Sequence, residues 1–533
     1  MTSVLIRCDA SLAIGSGHVI RCRTLARALQ ARGAEVVFAC RRQLGDRIAQ
    51  LAEEFRVLTL PACPQLEAGS AEGPSLSGRA LYATWLGCSE EQDAADCLAS
   101  LAAASLDPPT WLVVDHYGLS MAWQRLMQAR LAQPAVLVID DLADRRHQPT
   151  VLIDANRLDP TAADLYRDLV PEASRTLLGP PYALLDPLYP RLQPLLPVRR
   201  QLSRLLVFFG GVDLANNTAV ALEALNHPRL RHLAVDVVLG PDAPHRADLE
   251  ARVQQRPHTI LHVGLPSMAG LIARADLALG AAGTTSWERV SLGLPALVVP
   301  VAENQNQGAR ALEASGVARC VDLHAAADPV ESLQRAVLDL VDDPDALQAM
   351  SEACLQLGDG RGLARVVTSM LGPVAGLRLR PAQVADLWLY HWWANDPQVR
   401  RQSFNSELIS LEQHRRWFAG RLTSPLALMR VLEDGHGLPL GQIRLEREIA
   451  DAPRAVISFS LDRLARGRGL AAPLLQLGLA ELARCWDPAM EAYGEVRAEN
   501  SSSCRAFVRA GFQEGPPPRQ GVRCFARCAL QDP

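Results

Sequence analysis

A histidine on a glycine loop is the first feature of this chain that could do chemistry. The run Asp9-Ala-Ser-Leu-Ala-Ile-Gly-Ser-Gly-His18 follows a short apolar segment and precedes a helical one. Gly15 and Gly17 let the backbone approach a ligand closely, and Ser16 and His18 fall at the helix start. Free N–H groups and partial positive charge at a helix N-terminus suit a diphosphate or an oxyanion. The same field disfavours imidazolium, which leaves His18 able to accept a proton. A blander alternative is that His18 only hydrogen-bonds its own loop. Asp9 and Asp115 are candidates for holding His18 or a sugar, and equally for being structural strand-end carboxylates.

A second cluster lies some 265 residues on. Ala275–Glu288 runs from an apolar segment through Gly280 and Gly283 into a helix. Thr284 and Thr285 at that helix start suit a phosphate, and Glu288, one turn later, suits ribose hydroxyls. The following Pro300-Val-Ala-Glu-Asn-Gln-Asn-Gln307 offers Asn304 and Gln305, whose amides donate and accept as sugar hydroxyls require. Gly210 and Gly211 close the first strand of the same half with a tight turn. Taken together, these features describe a nucleotide-sugar cleft between two halves. The bland alternatives are a solvated helix residue for Glu288 and a plain polar loop for the amides.

A third run, Arg466-Gly-Arg-Gly-Leu-Ala471, follows a strand and opens a helix, so its amides can wrap a pyrophosphate. Trp388, Trp392 and Trp393 crowd together at helical spacing, which reads as core packing, with stacking of one of them on a substrate as the alternative.

These residues need elements to hold them. Short apolar runs at Val4–Arg7, Val36–Ala39, Trp111–Val114, Ala135–Ile139 and Val151–Ile153 alternate with helical stretches. A second set follows at Leu205–Phe209, Val235–Leu239, Leu277–Leu279 and Ala296–Pro300. Repeated strand–helix–strand implies parallel sheets covered by helices, and hence two Rossmann-like lobes. The proline-rich Leu185–Pro197 divides them. After Leu371–Leu377 the strands become antiparallel in character, as at Ala427–Glu433, Leu440–Arg447 and Ala455–Leu461. The expected domains are 1–190, 191–372 and 377–533, the last of α+β class.

Composition removes several chemistries. The 533 residues are 49% hydrophobic and 21% charged, with net charge −4, which argues against a general nucleic-acid binder. There is no lysine among the 54 basic residues, so a Walker A lysine, a pyridoxal Schiff base and a lysine nucleophile are all excluded. Twelve cysteines are scattered without zinc-site spacing, and no metal site is expected. No uninterrupted apolar stretch reaches the ~18 residues of a membrane span. A cytoplasmic protein with free thiols is expected.

Two resemblances sharpen these expectations. The segments IGSGHVIRCRTLA, LVVDHYGL, VIDDLADRRH, LLGPPYALL, FFGGVD, GAAGTTSWERVSLGLP and AENQNQ, across residues 1–370, resemble the UDP-sugar hydrolases of pseudaminic acid biosynthesis, members of the two-lobed (GT-B) glycosyltransferase superfamily. The resemblance implies UDP held mainly by the second lobe near Gly283–Glu288. It also implies a water activated by His18 that attacks the anomeric carbon of a UDP-linked 2,4-diacetamido-2,4,6-trideoxy sugar, without a metal. The Arg466–Ala471 loop, with Val496–Asn500, Ser503, Phe507 and Gly511-Phe512, resembles the GNAT N-acetyltransferases. That resemblance implies an acetyl-CoA site formed by Arg466, Gly467, Arg468, Gly469, Leu470, Ala471, Asn500 and Ser503. Backbone N–H groups of a splayed strand, Ser460 and Leu461 among Ser458–Leu461, would polarise the thioester. Many relatives carry a tyrosine acid where Phe507 stands, with Tyr493 and Cys504 as stand-ins, so the acid is unassigned. The Asn395–Arg400 segment with Trp417-Phe418 resembles the acceptor side of the pathway's aminosugar acetyltransferase, where Arg400 or Arg401 would meet a UDP phosphate. The implied substrate is a UDP-linked 4-amino sugar, acetylated and then released from UDP. Rival readings are a glycosyltransferase using a hydroxyl acceptor, the same two activities on a related nonulosonate or spore polysaccharide sugar, and a silent nucleotide-sugar scaffold.

Overall fold

The computed structural model describes residues 2–63, 78–158, 165–241, 243–301, 305–447, 449 and 454–528. By internal contacts the chain forms two units, Met1–Val367 and Thr368–Pro533, each taken here by itself. The division falls inside helix Gly362–Leu371.

The first unit contains two parallel sheets. The first has β1 (Ser3–Cys8), β2 (Glu35–Arg41), β3 (Arg56–Leu60), β4 (Trp111–Asp115), β5 (Ala135–Ile139), β6 (Val151–Asp154) and β7 (Arg175–Leu178). Their order is β3-β2-β1-β4-β5-β6-β7, with every pair parallel. The second has β8 (Arg204–Phe208), β9 (Ala234–Leu239), β10 (Thr259–Val263), β11 (Leu277–Ala281), β12 (Ala296–Val299) and β13 (Ala318–Cys320), ordered β10-β9-β8-β11-β12-β13 and again parallel. Central strands of such sheets are covered on both faces, which is why Leu5, Ile6, Val113, Leu137, Leu205, Val207 and Leu279 form near-continuous apolar runs.

In both sheets the strand order reverses beside the first strand, between β1 and β4 and between β8 and β11. Ligands of open α/β sheets bind in the crevice beyond the carboxyl ends of the strands at such a point. The loops carrying Gly15–His18 and Asp115 therefore open onto one crevice, and those carrying Gly210-Gly211 and Gly283-Thr284 onto another.

The first sheet also encloses a buried ion network. Arg7, fully buried on β1, donates through Nη1 and Nη2 to Asp9 (2.6 and 2.9 Å), and through Nε and Nη2 to Asp93 (3.0 and 2.6 Å). Arg41 adds its backbone N–H to Asp9 (2.7 Å) and Nη2 to Asp93 (2.8 Å). This fastens β1 and β2 to helix Glu90–Ala103 through paired charges.

The second unit is a mixed sheet of β14 (Arg378–Pro381), β15 (Ala427–Glu433), β16 (Pro439–Glu446), β17 (Arg454–Leu461), β18 (Glu491–Arg497), β19 (Gln513–Gly515) and β20 (Val522–Cys528), ordered β14-β15-β16-β17-β18-β20-β19. All pairs are antiparallel except β17–β18. Helix Ala471–Cys485 covers one face with Leu474, Leu475, Leu479 and Leu482, and Gly478 gives the room Ile443 needs, since a Cβ there would lie 2.4 Å from its Cδ1. Trp393 is buried and donates Nε1–H to Asp462 Oδ2 (2.8 Å), while Trp388 and Trp392 are half-buried.

Arg7→Met would leave Asp9 and Asp93 buried without their shared cation. Removing one partner of a buried ion pair costs about 3–5 kcal/mol. A chemical-denaturation midpoint for the first unit that stays within error of the parent would contradict this structural role.

Candidate active site

His18 sits where the first crevice requires it. Beyond β1 the chain turns so that Gly15 N–H donates to Ser11 O (2.8 Å), with Gly15 at φ +78°, a left-handed conformation that favours glycine. Helix Gly17–Ala31 then begins, with Ser16 at its cap and His18 in its first turn, only 7% exposed. His18 Nδ1 lies 2.6 Å from Asp115 Oδ1, at the end of β4. An imidazole nitrogen that close to a carboxylate carries the proton and donates it, which leaves Nε2 with the free lone pair. Asp115 takes three further donors, Arg21 Nε at Oδ2 and Nη2 at Oδ1, both 2.6 Å, and Cys22 Sγ at Oδ2 (3.4 Å). Burial opposes ionisation of Asp115, but the Arg21 and His18 charges outweigh it and hold the carboxyl well below the usual range. The Tyr117 ring meets the His18 ring edge-on (centroids 4.6 Å apart), and its hydroxyl donates to Asp141 Oδ2 (2.6 Å).

Of the two strand-end carboxylates, Asp115 holds the histidine. Asp9 belongs to the Arg7 network, where its oxygens are taken by Arg7 and by the Arg41 amide.

The second lobe places Gly283 in open space, where a Cβ would meet nothing within 4 Å, directly before helix Thr285–Ser291. Thr284 caps that helix without lending its hydroxyl to it. Gly210, at φ +108°, and Gly211 likewise have open space about them. The two lobes meet here: a Cβ on Gly17 would lie 4.0 Å from Thr284 Cγ2. The histidine loop and the threonine loop thus face each other across one cleft. Glu288 is partly buried. Burial pushes its carboxyl up to about 7, against the opposing pull of the Tyr189 hydroxyl and the Arg289 charge. Gln305 caps helix Asn306–Ala314, and its Oε1 accepts from the Val301 amide (3.2 Å); Asn304 lies outside the described residues.

In the second unit, β17 pairs with β18 only from Arg454–Glu491 to Val456–Tyr493. Past Val456 the two strands part, and the β17 amides that face that side, those of Phe459 and Leu461, lose their neighbour. Ser460 itself is buried and accepts from Gln442 Nε2 (3.2 Å). The Arg466–Ala471 loop follows, with Gly467 at φ +74° and Gly469 at φ +76°, both facing open space. Leu470 caps helix Ala471–Cys485. Arg466 is held by Leu461 O (3.0 Å), Gln398 (3.0 Å) and Asp396 (2.9 Å), and Arg468 by Leu464 O (2.9 Å), so both brace the loop from behind. Asn500 caps helix Ser501–Arg509 by accepting from the Ser503 amide (3.1 Å), a structural duty that the sequence pattern did not separate from ligand binding. Arg400 is engaged by the carbonyls of Asn405 and Glu407 and by Ser403. Phe507 stacks on Phe525 (5.2 Å), and its para carbon would lie 2.5 Å from a Cβ on Gly494. A hydroxyl at that carbon would run into β18, so the ring is core. Cys504 is buried, and the Tyr493 hydroxyl donates to Glu495 (3.3 Å).

Residues 205–363 match the glycosyltransferase family 28 C-terminal domain, and residues 376–513 match the acetyltransferase (GNAT) domain. The chain carries a glycosyltransferase family 28-like domain and a GNAT acetyltransferase domain. It is similar to the spore coat polysaccharide biosynthesis protein SpsG of Bacillus subtilis, 25% identical over 194 residues, which is 36% of this chain and 57% of SpsG. The chain thus spans little more than half the length of that relative. Among solved structures, MurG of Acinetobacter baumannii aligns over 69% of this chain and 98% of its own at 14% identity (TM-score 0.45). Spermidine N-acetyltransferase of Vibrio cholerae aligns over 29% of this chain and 98% of its own at 17% identity (TM-score 0.27).

All twelve cysteines are free thiols, and among the described residues no group of three His, Cys, Asp or Glu is placed to hold a metal ion. No described helix is long and apolar enough to cross a membrane. Arg21, Tyr117, Asp141, Asn156 and Trp287 were not singled out as site residues in the sequence. Only Arg21, one turn after His18 on the same helix face, carried a local signal.

The raised Glu288 carboxyl gives a pH signature. Its folded value of about 7 lies above the ordinary carboxyl value of 4.5, so its contribution to stability is present below pH 4.5 and lost as pH rises through 7. Glu288→Gln removes that loss. The variant should gain roughly 1–3 kcal/mol on the parent between pH 5 and pH 8. A stability difference that does not change with pH would contradict the assignment.

Proposed function

We propose that the two-lobed unit hydrolyses a UDP-linked 2,4-diacetamido-2,4,6-trideoxy sugar of the altro series to UDP and free sugar, and that the GNAT domain first acetylates its 4-amino precursor from acetyl-CoA. The observation that carries the hydrolytic half is His18, held through Nδ1 by Asp115 with Nε2 free, opposite the Thr284 loop.

In this reading His18 Nε2 takes a proton from water as the water oxygen attacks the anomeric carbon. The bond from that carbon to the UDP oxygen breaks with inversion, and His18 then returns its proton to solvent. Ionised Asp115 stabilises the imidazolium formed on the way. Gly283, Thr284 and Thr285, with Gly210 and Gly211, meet the diphosphate charge with amides and hydroxyls, so the leaving group calls for no metal. Gly15, Ser16 and Gly17 line the sugar side, and Glu288 and Gln305 take hydroxyls on the nucleotide side.

In the GNAT domain, the amides of Ser458–Leu461 receive the thioester carbonyl as the amine nitrogen attacks it and the carbon–sulfur bond breaks. The loop amides from Gly467 to Ala471 receive the pyrophosphate. A thiol is a good enough leaving group (pKa about 8.5, taking cysteine as the analogue) for transfer to proceed with Phe507 in place of an acid. Joining the two activities in one chain fixes their ratio and raises their effective concentration for one another.

A second reading keeps the cleft and hands the sugar to a hydroxyl. The family 28 match favours it, and the likeness to SpsG widens the sugar to a related polysaccharide component. Mass spectrometry of the chain with the UDP-4-amino sugar, with and without acetyl-CoA, separates these. The proposal requires acetylation followed by UDP release with no acceptor added. No UDP release without a hydroxyl acceptor would favour transfer. His18→Ala should lower UDP release by at least about 100-fold, the usual scale for a general base, with acetylation intact. Gly469→Trp should abolish acetylation of the UDP-4-amino sugar yet leave hydrolysis of the pre-acetylated UDP-diacetamido sugar intact. Loss of that hydrolysis in Gly469→Trp, or of acetylation in His18→Ala, would contradict two independent sites.

A further inference from the structure

Helix Thr285–Ser291, at the nucleotide side of the cleft, is wired to the base on the sugar side. Trp287, 8% exposed on that helix, donates Nε1–H to Asn156 Oδ1 (2.7 Å) across the two lobes. Asn156 Nδ2 donates in turn to Asp141 Oδ1 (3.0 Å). Asp141 Oδ2 accepts from Arg21 Nη1 (2.7 Å) and from the Tyr117 hydroxyl (2.6 Å). Arg21 grips both oxygens of Asp115, and Asp115 holds His18 Nδ1. Every link is a direct hydrogen bond, and the carboxylates at both bends are fixed from more than one side. Arg157 adds Nη2 to the Asp141 carbonyl (3.2 Å) and Nε to Asp154 (2.5 Å), which anchors the segment carrying Asn156.

We propose that Trp287 and Asn156 are positioning residues through which docking of the nucleotide-binding lobe sets the orientation of His18. The inference rests on the reading of His18 as the base. Within this chain of hydrogen bonds, only Trp287 to Asn156 crosses between lobes. When the lobes close, the indole N–H locks the Asn156 amide, whose other end steadies Asp141. Asp141 then holds the Arg21 guanidinium in the plane in which it can clamp Asp115. When the lobes part, Asp141 loses that brace, and Arg21 and Asp115 hold the imidazole with less constraint. The base is thereby best aligned when the nucleotide side is in place, which disfavours idle reaction of an open cleft. Neither residue needs to touch the reacting atoms, so the effect belongs in turnover rather than in nucleotide affinity.

The test uses the full chain and three variants, Trp287→Phe, Asn156→Ala and the pair, with turnover of the UDP-diacetamido sugar and calorimetry of UDP binding. Trp287→Phe keeps an aromatic side chain in place while removing the donor N–H together with part of the indole. The inference expects each single variant to lose about tenfold in kcat and to keep KM and the Kd for UDP within about twofold. It also expects the pair to lose no more than either alone, because both break one connection. Losses that multiply in the pair, or that appear in KM and Kd instead of kcat, overturn it. So does unchanged turnover in Trp287→Phe when His18→Ala is inactive. Undiminished turnover in His18→Ala, by contrast, removes the base reading itself.

Discussion

The buried carboxylate of Asp115 is the constraint on which the first site depends. It ends a central strand, where solvent cannot reach it, and it stays ionised only because Arg21 and His18 surround it. That arrangement fixes the imidazole by its Nδ1–H and leaves one nitrogen to do chemistry. A buried charge left unpaired is costly, so the same contacts that orient the histidine are those the strand end needs for stability. Orientation of the His18 imidazole and integrity of the β4 terminus are therefore one interaction.

Topology then supplies the rest of the cleft. Each lobe reverses its strand order beside its first strand, so loops from distant parts of the sequence open side by side. Glycines at 15, 210 and 283 keep those loops free of side-chain bulk, and a Cβ on Gly17 would come to van der Waals distance of Thr284 in the other lobe. The GNAT domain reaches an equivalent result by different means. There a parallel strand pair breaks apart after three positions, and the break leaves β17 amides within Ser458–Leu461 without a strand partner on that side.

What was legible in the sequence follows from how far each signal reaches along the chain. The central strands were readable because burial on both faces demands unbroken apolar runs, and the boundaries at Ala135–Ile139 and Ala427–Glu433 coincide with the observed ones. The outermost strands β3, β7, β10 and β13 carry Arg56, Thr59, Arg175, Thr176, His262 and Arg319 among their residues, because an edge is half solvated, and they gave no such run. His18 and the glycine loops were readable because helix-start chemistry is local. Asp115 and Asp9 were indistinguishable as strand-end carboxylates. Only the fold showed that Arg7, two residues from Asp9, claims that carboxylate, while the histidine reaches 97 residues along to Asp115. Asn156 and Trp287, 131 residues apart, carry no local mark of their contact. Asn500 and Phe507 were read by pattern, and their geometry assigns them a cap and a packed ring.

The central claim is that water, activated by His18, attacks the sugar's anomeric carbon and leaves the diphosphate intact. Turnover of the UDP-diacetamido sugar in water enriched in oxygen-18, followed by mass analysis of the released UDP, tests it most directly. The account predicts UDP without the heavy isotope, because the bond that breaks is between carbon and the UDP oxygen. UDP carrying one oxygen-18 would place the attack on phosphorus and contradict the account.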